Sequence, residues 1–432
     1  MTATAPREEP PETGPADLVR LVATLAAELV RRGRNASMRR AFRAWSERTA
    51  GRLGNRTFII TLGSKRILLV GDATLSRCIL RARPDATLGA GELKRRAMSL
   101  LAPTALTVSD GMDWDRRRAF NEFVLQPDTT HSLARQFGAR VREAFRTPVT
   151  DVPSLQDAMR RAMLAVVFGP GVAPAQLATD VEYLYALTQQ PLRQRLFGAF
   201  TGTRRQRMTR TLQRLWQETD TPTASLLAMA RERRDVLGEA EALDQFPHWM
   251  FTFTGSATTL LTNTLWLILS DDGIRRRLID EVRATGDDAA ATDAWPLLTA
   301  CLVESGQLFP PVTRTFHRTT GVVVSGTALP ANAEIVTWFP LYQTADTSVR
   351  QFRPDRWMAN HSVDDEPYDA FLGGARRCPG KNLTLLVCKT AIADLLTTHD
   401  LQLTNTPLHT DNLPSDLPRI PPQFSTARPR TL

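Results

Sequence analysis

A helical pattern runs with few breaks from about Ala73 to Ser305, between two short β-rich regions. The first region holds TFIITL (57–62) and RILLVG (66–71), joined by a short GSK turn, which predicts a β-hairpin. The second holds GVVVSG and EIVTWF, within 321–339. A long helical stretch flanked by small strands predicts a mainly α fold with small β-sheets, in which an α-rich part accompanies a smaller β-rich region.

Length and composition are those of a folded globular protein. Of the 432 residues, 42% are hydrophobic and 23% are charged, which is enough apolar material for one large core. The N-terminal segment MTATAPREEPPETGPAD is rich in proline, glutamate and threonine and has no apolar run. We therefore expect residues 1–16 to form a disordered tail, without a membrane anchor, and residues 17–432 to form a single domain.

Three further features limit the possible settings and partners. The apolar segment His248–Leu269 carries threonines and Gly255, so it is interpreted as a buried helix rather than a membrane span. The four cysteines lack paired spacing, which indicates a reducing, cytoplasmic setting. The net charge of +9 comes from dispersed arginines without a recognition motif, so we do not expect a nucleic-acid partner.

The loop FLGGARRCPG precedes an apolar helix and follows the pattern F-x-x-G-x-R-x-C-x-G. The matched positions are Phe371, Gly374, Arg376, Cys378 and Gly380. Glycines let the backbone approach a flat macrocycle, and an arginine two residues before the cysteine can pair with a propionate. A helix N-terminus stabilises a thiolate. A lone cysteine would be interpreted as a packing residue, but five matched positions predict that Cys378 is the axial ligand of a haem iron.

With this loop, the sequence resembles the cytochrome P450 family over essentially the whole chain after the tail. Trp114 and Arg118 match the family's W-x-x-x-R helix, and the resemblance places both at the haem propionates. His317, in LFPPVTRTFHR, falls where a further propionate partner usually lies. Arg356, in FRPDRW, matches the arginine that binds the glutamate of an E-x-x-R helix. The resemblance implies the P450 fold and a haem b cofactor with a cysteine thiolate ligand.

The oxygen-activation motif departs from the family pattern [AG]-G-x-[DE]-T. This chain has Thr254, Gly255, Ser256, Ala257 and Thr258 at those positions. The resemblance implies that Gly255 opens a groove for dioxygen and that Thr258 hydrogen-bonds to it, with Ser256 as a possible proton relay. Ala257 replaces the acid that supplies protons, and general acid catalysis is typically worth about 10²–10⁴-fold in rate.

The E-x-x-R motif also departs from the pattern, because Gln307 stands where the family has arginine. In the family, the glutamate and two arginines form a buried network on the cysteine side of the haem. Glu304 is here expected to depend mostly on Arg356, and a buried carboxylate with one cation is poorly compensated. We therefore expect modest instability or weaker haem retention, and a gain in both from Gln307→Arg.

Taken together, the resemblance implies a monooxygenase that oxidises a small, mostly apolar molecule of specialised metabolism with O₂. Electrons would come from a ferredoxin or flavodoxin, an acidic protein attracted by basic side chains. The candidate docking residues are Arg116, Arg117, Arg376, Arg377 and Lys381. The loss of the acid leaves open peroxide-driven oxidation, a rearrangement or cyclisation, or a haem-binding pseudoenzyme that acts as the partner of another protein. Thr258 favours the monooxygenase.

Overall fold

The computed structural model describes most of the chain. The described residues are 8–32, 38–85, 87–188, 191–218, 224–285, 295–339, 350–359, 362, 369–414, 417–418 and 420–426. These residues form two compact units. Unit 1 consists of Met1–Arg95, Val312–Ser348 and Val363–Arg377, and unit 2 of Arg96–Pro311, Val349–Ser362 and Cys378–Leu432.

Unit 1 is the β-rich unit. Its helices are α1 (Pro15–Arg32), α2 (Met38–Leu53), α3 (Ala73–Arg81) and the start of α4 (Glu92–Met98). Its strands are β1 (Phe58–Leu62), β2 (Lys65–Val70), β3 (Leu88–Ala90), β4 (Arg314–Thr319), β5 (Val322–Val324), β6 (Thr327–Leu329) and β7 (Ala333–Trp338). A short 3₁₀ turn covers Gly374–Arg376.

Five of these strands form one sheet in the order β1-β2-β7-β4-β3. Only β2 and β7 run parallel, and the predicted hairpin of β1 and β2 is confirmed, with Phe58 opposite Leu69. Alternation along the strands directs Phe58 and Ile60 into one apolar cluster with Trp45, and Ile59 into a second cluster. Both faces of the sheet are therefore covered, which explains why its strands read as continuous apolar runs.

Part of the segment expected to be a disordered tail contacts the edge of this sheet. The Thr13 amide donates to the Ile59 carbonyl at 2.8 Å, and the Ile59 amide donates to the Pro11 carbonyl at 2.8 Å. Residues 1–7 lie outside the described residues. The described end of the segment therefore pairs with β1 by backbone hydrogen bonds.

Unit 2 is the helical unit. Its helices are α5 (Gly111–Leu125), α6 (Ala134–Phe145), α7 (Val152–Phe168), α8 (Ala175–Thr188), α9 (Pro191–Gln217), α10 (Leu226–Glu232), α11 (Glu239–Leu243), α12 (Gln245–Thr252), α13 (Thr258–Leu269), α14 (Asp272–Thr285), α15 (Pro296–Leu308) and α16 (Lys381–Thr397). A hairpin of β8 (Leu401–Leu403) and β9 (Phe424–Thr426) completes it, with 3₁₀ turns at Leu106–Val108 and Pro354–Met358.

Local signals set the ends of several helices. At the start of α7, Asp151 accepts from the Ser154 amide while Ser154 Oγ accepts from the Asp151 amide, which is a capping box. The helix ends at Gly169, whose φ of 100° suits glycine. The segment 248–269 lies in α12 and α13 with most of its apolar side chains buried, as predicted. Among the described helices, none has the length and apolar character needed to cross a membrane.

Candidate functional site

The part of the cysteine loop in unit 1 has a defined backbone shape. Gly374 has a φ of +60°, and a Cβ atom there would lie 2.8 Å from the Arg81 Cα, so only glycine fits. The Phe371 amide donates to Asp369 Oδ1 at 2.8 Å. Arg376 Nη2 donates to the Leu88 carbonyl at 2.6 Å. The contact with Leu88 fixes the half-buried Arg376, two residues before the cysteine.

The part of the loop in unit 2 places Cys378 just before α16. Cys378 is half-buried and forms no disulfide with another described cysteine, and the Lys381 amide donates to its carbonyl at 3.3 Å. A Cβ atom on Gly380 would lie 3.9 Å from Cys378 Sγ. The thiol therefore stands at the N-terminus of a helix, where backbone amides and the helix dipole favour a thiolate.

Two other cysteines in unit 2 differ from Cys378 in burial. Cys301 and Cys388 are fully buried, and burial raises the pKa of the Cys388 thiol to about 12. Burial, followed by the nearby Glu281 carboxylate, also raises the pKa of Cys301 well above its usual value. Both thiols therefore stay protonated at neutral pH and pack as small apolar side chains.

Three basic side chains of unit 1 influence one another. His317 is 4% exposed, and its Nε2 lies 2.9 Å from Thr315 Oγ1. Among the described residues, its Nδ1 atom is buried without a hydrogen-bond partner. Burial lowers the pKa of His317 well below its usual value, and the positive charges of Arg376 and Lys94 lower it further. His317 is therefore a neutral imidazole beside two cations.

Lys94, on α4, was not identified from the sequence. Burial and the charge of Arg376 lower the pKa of its ammonium group to about 8. Lys94 is half-buried, and holding a partly desolvated cation next to an arginine is costly unless an anion binds both. The sequence signal for Lys94 is the scarcity of lysine, since almost all of the cationic side chains of the protein are arginines.

On α5, Trp114 and Arg118 share one face of the helix. The Arg118 guanidinium lies 6.0 Å from the centre of the Trp114 ring, and its Nε donates to Glu122 Oε1 at 2.8 Å. The neighbouring Arg117 is buried and donates to Glu241 and to Ser109 Oγ, at 2.5 and 2.7 Å. The charge of Arg117 is therefore neutralised inside unit 2, and the prediction that Arg117 lies on a docking surface is wrong.

The oxygen-activation motif forms a π-helical segment, Phe253–Ala257, between α12 and α13. Thr258 Oγ1 donates to the Phe253 carbonyl at 3.0 Å, five residues back, and Cys388 Sγ lies 3.7 Å from the Ala257 carbonyl. Among the described residues, a Cβ atom on Gly255 would meet nothing within 4 Å. The wider turn and the missing side chain thus leave open space along this helix, and such segments are frequent at functional sites.

The carboxylate of Glu304, on α15, is almost completely buried and receives several donors. The Arg353 amide donates to Oε1 at 3.0 Å, and Arg356 Nε and Nη2 approach Oε2 at 2.8 and 2.7 Å. Trp357 Nε1 also donates to Oε2, at 2.6 Å. The Glu304–Arg356 pair predicted from the sequence is present. The indole and the backbone amide, which the sequence analysis did not identify, supply donors in a network where Gln307 replaces the usual arginine.

Comparison with known proteins identifies the family. A family model described as Cytochrome P450 matches residues 205–427, slightly more than half of the chain. The chain belongs to the cytochrome P450 family. Its fold is also that of the retinoic acid-bound cyanobacterial CYP120A1, with a TM-score of 0.68 at 20% identity over 89% of this chain and 94% of that one.

The curated relatives match only a part of their own length. Cytochrome P450 monooxygenase efuB of Hormonema carpetanum is 28% identical over 41% of this chain and 39% of that protein. Cytochrome P450 monooxygenase AMT3 of Alternaria alternata is 30% identical over 35% of this chain and 34% of that protein. The chain thus spans well under half of the length of these relatives.

As a member of this family, the protein takes a haem b whose iron has a cysteine thiolate as axial ligand. The described residues fit this group. In unit 2, Cys378 offers a half-buried thiol at the N-terminus of α16, which would supply the thiolate ligand. In unit 1, Lys94, Arg376 and the buried Nδ1 of His317 offer cations and a donor to an anion such as a propionate.

Proposed function

We propose that the protein is a haem-thiolate monooxygenase that uses O₂ and two electrons to oxidise a small, mostly apolar molecule. The observation that carries this proposal is the π-helical segment, where a threonine hydroxyl and an open glycine position occur together in Thr258 and Gly255. The curated relatives, which are named as monooxygenases, support the same reaction class.

We assign the residues of the cysteine loop and of α5 to the haem. Cys378 would hold the haem iron through its thiolate, which would tune the redox chemistry of the iron. Arg118, Arg376 and His317 would bind the propionates, and Lys94 would add a fourth donor. The remaining contacts are Trp114, Phe371, Gly374 and Gly380. The haem, when bound, supplies the redox chemistry of dioxygen activation.

Two of the three hydroxyl groups in the motif already donate a hydrogen bond to a backbone carbonyl. Thr258 and Thr254 donate their protons to the Phe253 and Met250 carbonyls, so each offers only lone pairs to a ligand. Within the described part of the chain, the Ser256 hydroxyl has no hydrogen-bond partner. We therefore assign Thr258 Oγ1 as a hydrogen-bond acceptor that orients a ligand at this site. We assign Ser256 as the proton relay, with water or a polar group of the substrate as the proton source.

We propose a ferredoxin or flavodoxin as the electron donor. Arg377 of the cysteine loop and Lys381 at the start of α16 are half-buried, and Arg116 on α5 is exposed. An acidic partner would be steered to such groups. Arg116 already binds Asp113 at 2.9 Å, so its charge is partly neutralised.

The test uses the purified holoprotein with a ferredoxin, its reductase and NADPH under ¹⁸O₂. Retinoic acid serves as the first probe, because the structural neighbour is described as bound to it and it is a mostly apolar molecule. A product that carries one labelled oxygen atom and depends on the ferredoxin supports the proposal. Thr258→Ala should lower the product formed per O₂ consumed, while Thr259→Ala, at the exposed adjacent position, serves as the control.

A second candidate is favoured by Ala257, the buried replacement of the family acid. Peroxide carries its own protons and electrons, so a peroxide-driven oxygenation needs no acid at this position. Product with hydrogen peroxide alone, and none with ferredoxin and O₂, would establish this alternative. Intact haem binding without any product across a panel of apolar probes would instead favour a rearrangement or a partner-binding pseudoenzyme.

A further inference from the structure

An open cleft lies between α8 and α9 in unit 2, apart from the residues assigned to the haem. Its volume is about 360 Å³, at the lower end of the roughly 300–1,000 Å³ typical of small-ligand sites. Pro174 and Leu177, which is 2% exposed, form a small apolar wall at the start of α8, and Arg207, Arg210 and Arg214 of α9 also line the cleft. Three arginines at this spacing share one helix face.

Among the described residues that line the cleft, Asp180 is the one carboxylate, and it is already neutralised. Asp180 is 1% exposed, and it accepts from Arg207 Nε at 2.6 Å and from Arg204 Nη1 at 3.1 Å. Gln176 Nε2 donates to it as well, at 3.1 Å. Asp180 therefore holds Arg207 in place and joins α8 to α9, and it does not act as a cation ligand.

The other arginines keep their charge available to the cleft. Arg210 is exposed, and Nη2 donates to Gln206 Oε1 at 3.3 Å. Among the described residues, no carboxylate lies within ion-pair distance of its guanidinium. Among the described residues, Arg214 pairs with a single carboxylate, that of Glu218 at 3.4 Å, and α9 has no acidic residue between Pro191 and Gln217. The cleft thus contains an excess of positive charge.

We propose that this cleft binds the phosphate group of a small organic phosphate. Guanidinium forks match phosphate oxygens in geometry and charge, and arginines one turn apart suit an anion with several oxygens. The apolar wall would contact the rest of the ligand. Because the cleft is concave and small, it suits a single head group rather than an extended polyanion.

The test measures the melting temperature of the holoprotein with increasing sodium pyrophosphate, at constant ionic strength set by sodium chloride. A ligand that binds the folded state raises the melting temperature in a saturable way. We expect Arg210→Gln to weaken the apparent affinity about tenfold, because it removes a charge-assisted contact. Arg276→Gln is the matched control, since this exposed arginine of α14 bonds to the Asp272 carbonyl.

A saturable shift that is reduced in Arg210→Gln and in Arg214→Gln, but kept in Arg276→Gln, supports the site. A shift that is absent, or that all three variants reduce equally, overturns it. Vesicles distinguish the source of the phosphate. If the holoprotein sediments with phosphatidic acid vesicles and not with phosphatidylcholine vesicles, loss of this binding in Arg210→Gln identifies a lipid head group. A melting-temperature shift with pyrophosphate and no sedimentation with either vesicle identifies a soluble ligand.

Discussion

At Glu304, donors from Arg353, Arg356 and Trp357 converge on one buried carboxylate, whereas at Ala257 a buried methyl group stands where the family has an acid. Both positions lie in motifs that depart from the family pattern. A retained carboxylate can be satisfied by any nearby N–H group, so the missing arginine has substitutes. A missing acid has none among threonine and serine hydroxyls, because their pKa is far too high to supply a proton.

The largest expected effect comes from removing the carboxylate itself. Glu304→Ala leaves Arg356, the Trp357 indole and the Arg353 amide without their acceptor, and we expect a loss of about 3 kcal/mol in the free energy of unfolding. Urea denaturation measures it. Glu232→Ala, at an exposed position of α10, should change the value by less than about 0.5 kcal/mol. Equal losses in both variants would mean that the Glu304 network contributes little.

Restoring the acid tests the other half of the comparison. Ala257→Asp should raise product formation with ferredoxin and O₂ by up to about 10²-fold, at some cost in stability because the site is buried. The measurement is product formed per O₂ consumed. Ala257→Asn matches the shape without the acidic proton, so an equal gain with asparagine, or no gain with aspartate, would show that proton supply is not limiting.

Trp357→Phe keeps the ring and removes only the indole N–H. We expect a loss of about 1–2 kcal/mol in the free energy of unfolding, since the lost hydrogen bond ends on a charged group while Arg356 remains. Trp266→Phe is the control, because its indole makes a longer 3.4 Å bond to the neutral Thr406 carbonyl. A smaller loss for Trp357→Phe than for Trp266→Phe would show that the Trp357 indole does not stabilise the Glu304 network.

Gln307→Arg should have the smallest effect. The sequence predicts a gain from this substitution, but Glu304 already accepts from three residues, so we expect a gain of less than about 1 kcal/mol in the free energy of unfolding. Melting temperature and the rate of haem transfer to apomyoglobin measure the change. A gain of several degrees together with slower haem loss would show that Glu304 still lacks a second cation.

The sequence predicts features that depend on neighbouring residues. The hairpin of β1 and β2 follows from alternating apolar runs, and the position of Cys378 before α16 follows from the loop pattern. The buried helix at 248–269 follows from its composition. In each case the information is local, so spacing and residue type are sufficient.

Features that depend on distant contacts were missed. Trp357 reaches Glu304 from 53 residues away, and no spacing rule connects an indole to that carboxylate. The burial of Arg117 depends on Glu241, and the placement of Lys94 near Arg376 depends on the tertiary fold. The π-helical segment depends on backbone geometry, which the residue types of the motif do not predict.

The most direct test of the haem-thiolate assignment is a carbon monoxide difference spectrum of the reduced, purified protein. We predict a thiolate-type Soret band for the unaltered chain, and its loss in Cys378→Ala. Cys388→Ala, which removes a buried cysteine of α16, should keep the band. A thiolate-type band that persists in Cys378→Ala would contradict the assignment of this sulfur as the iron ligand.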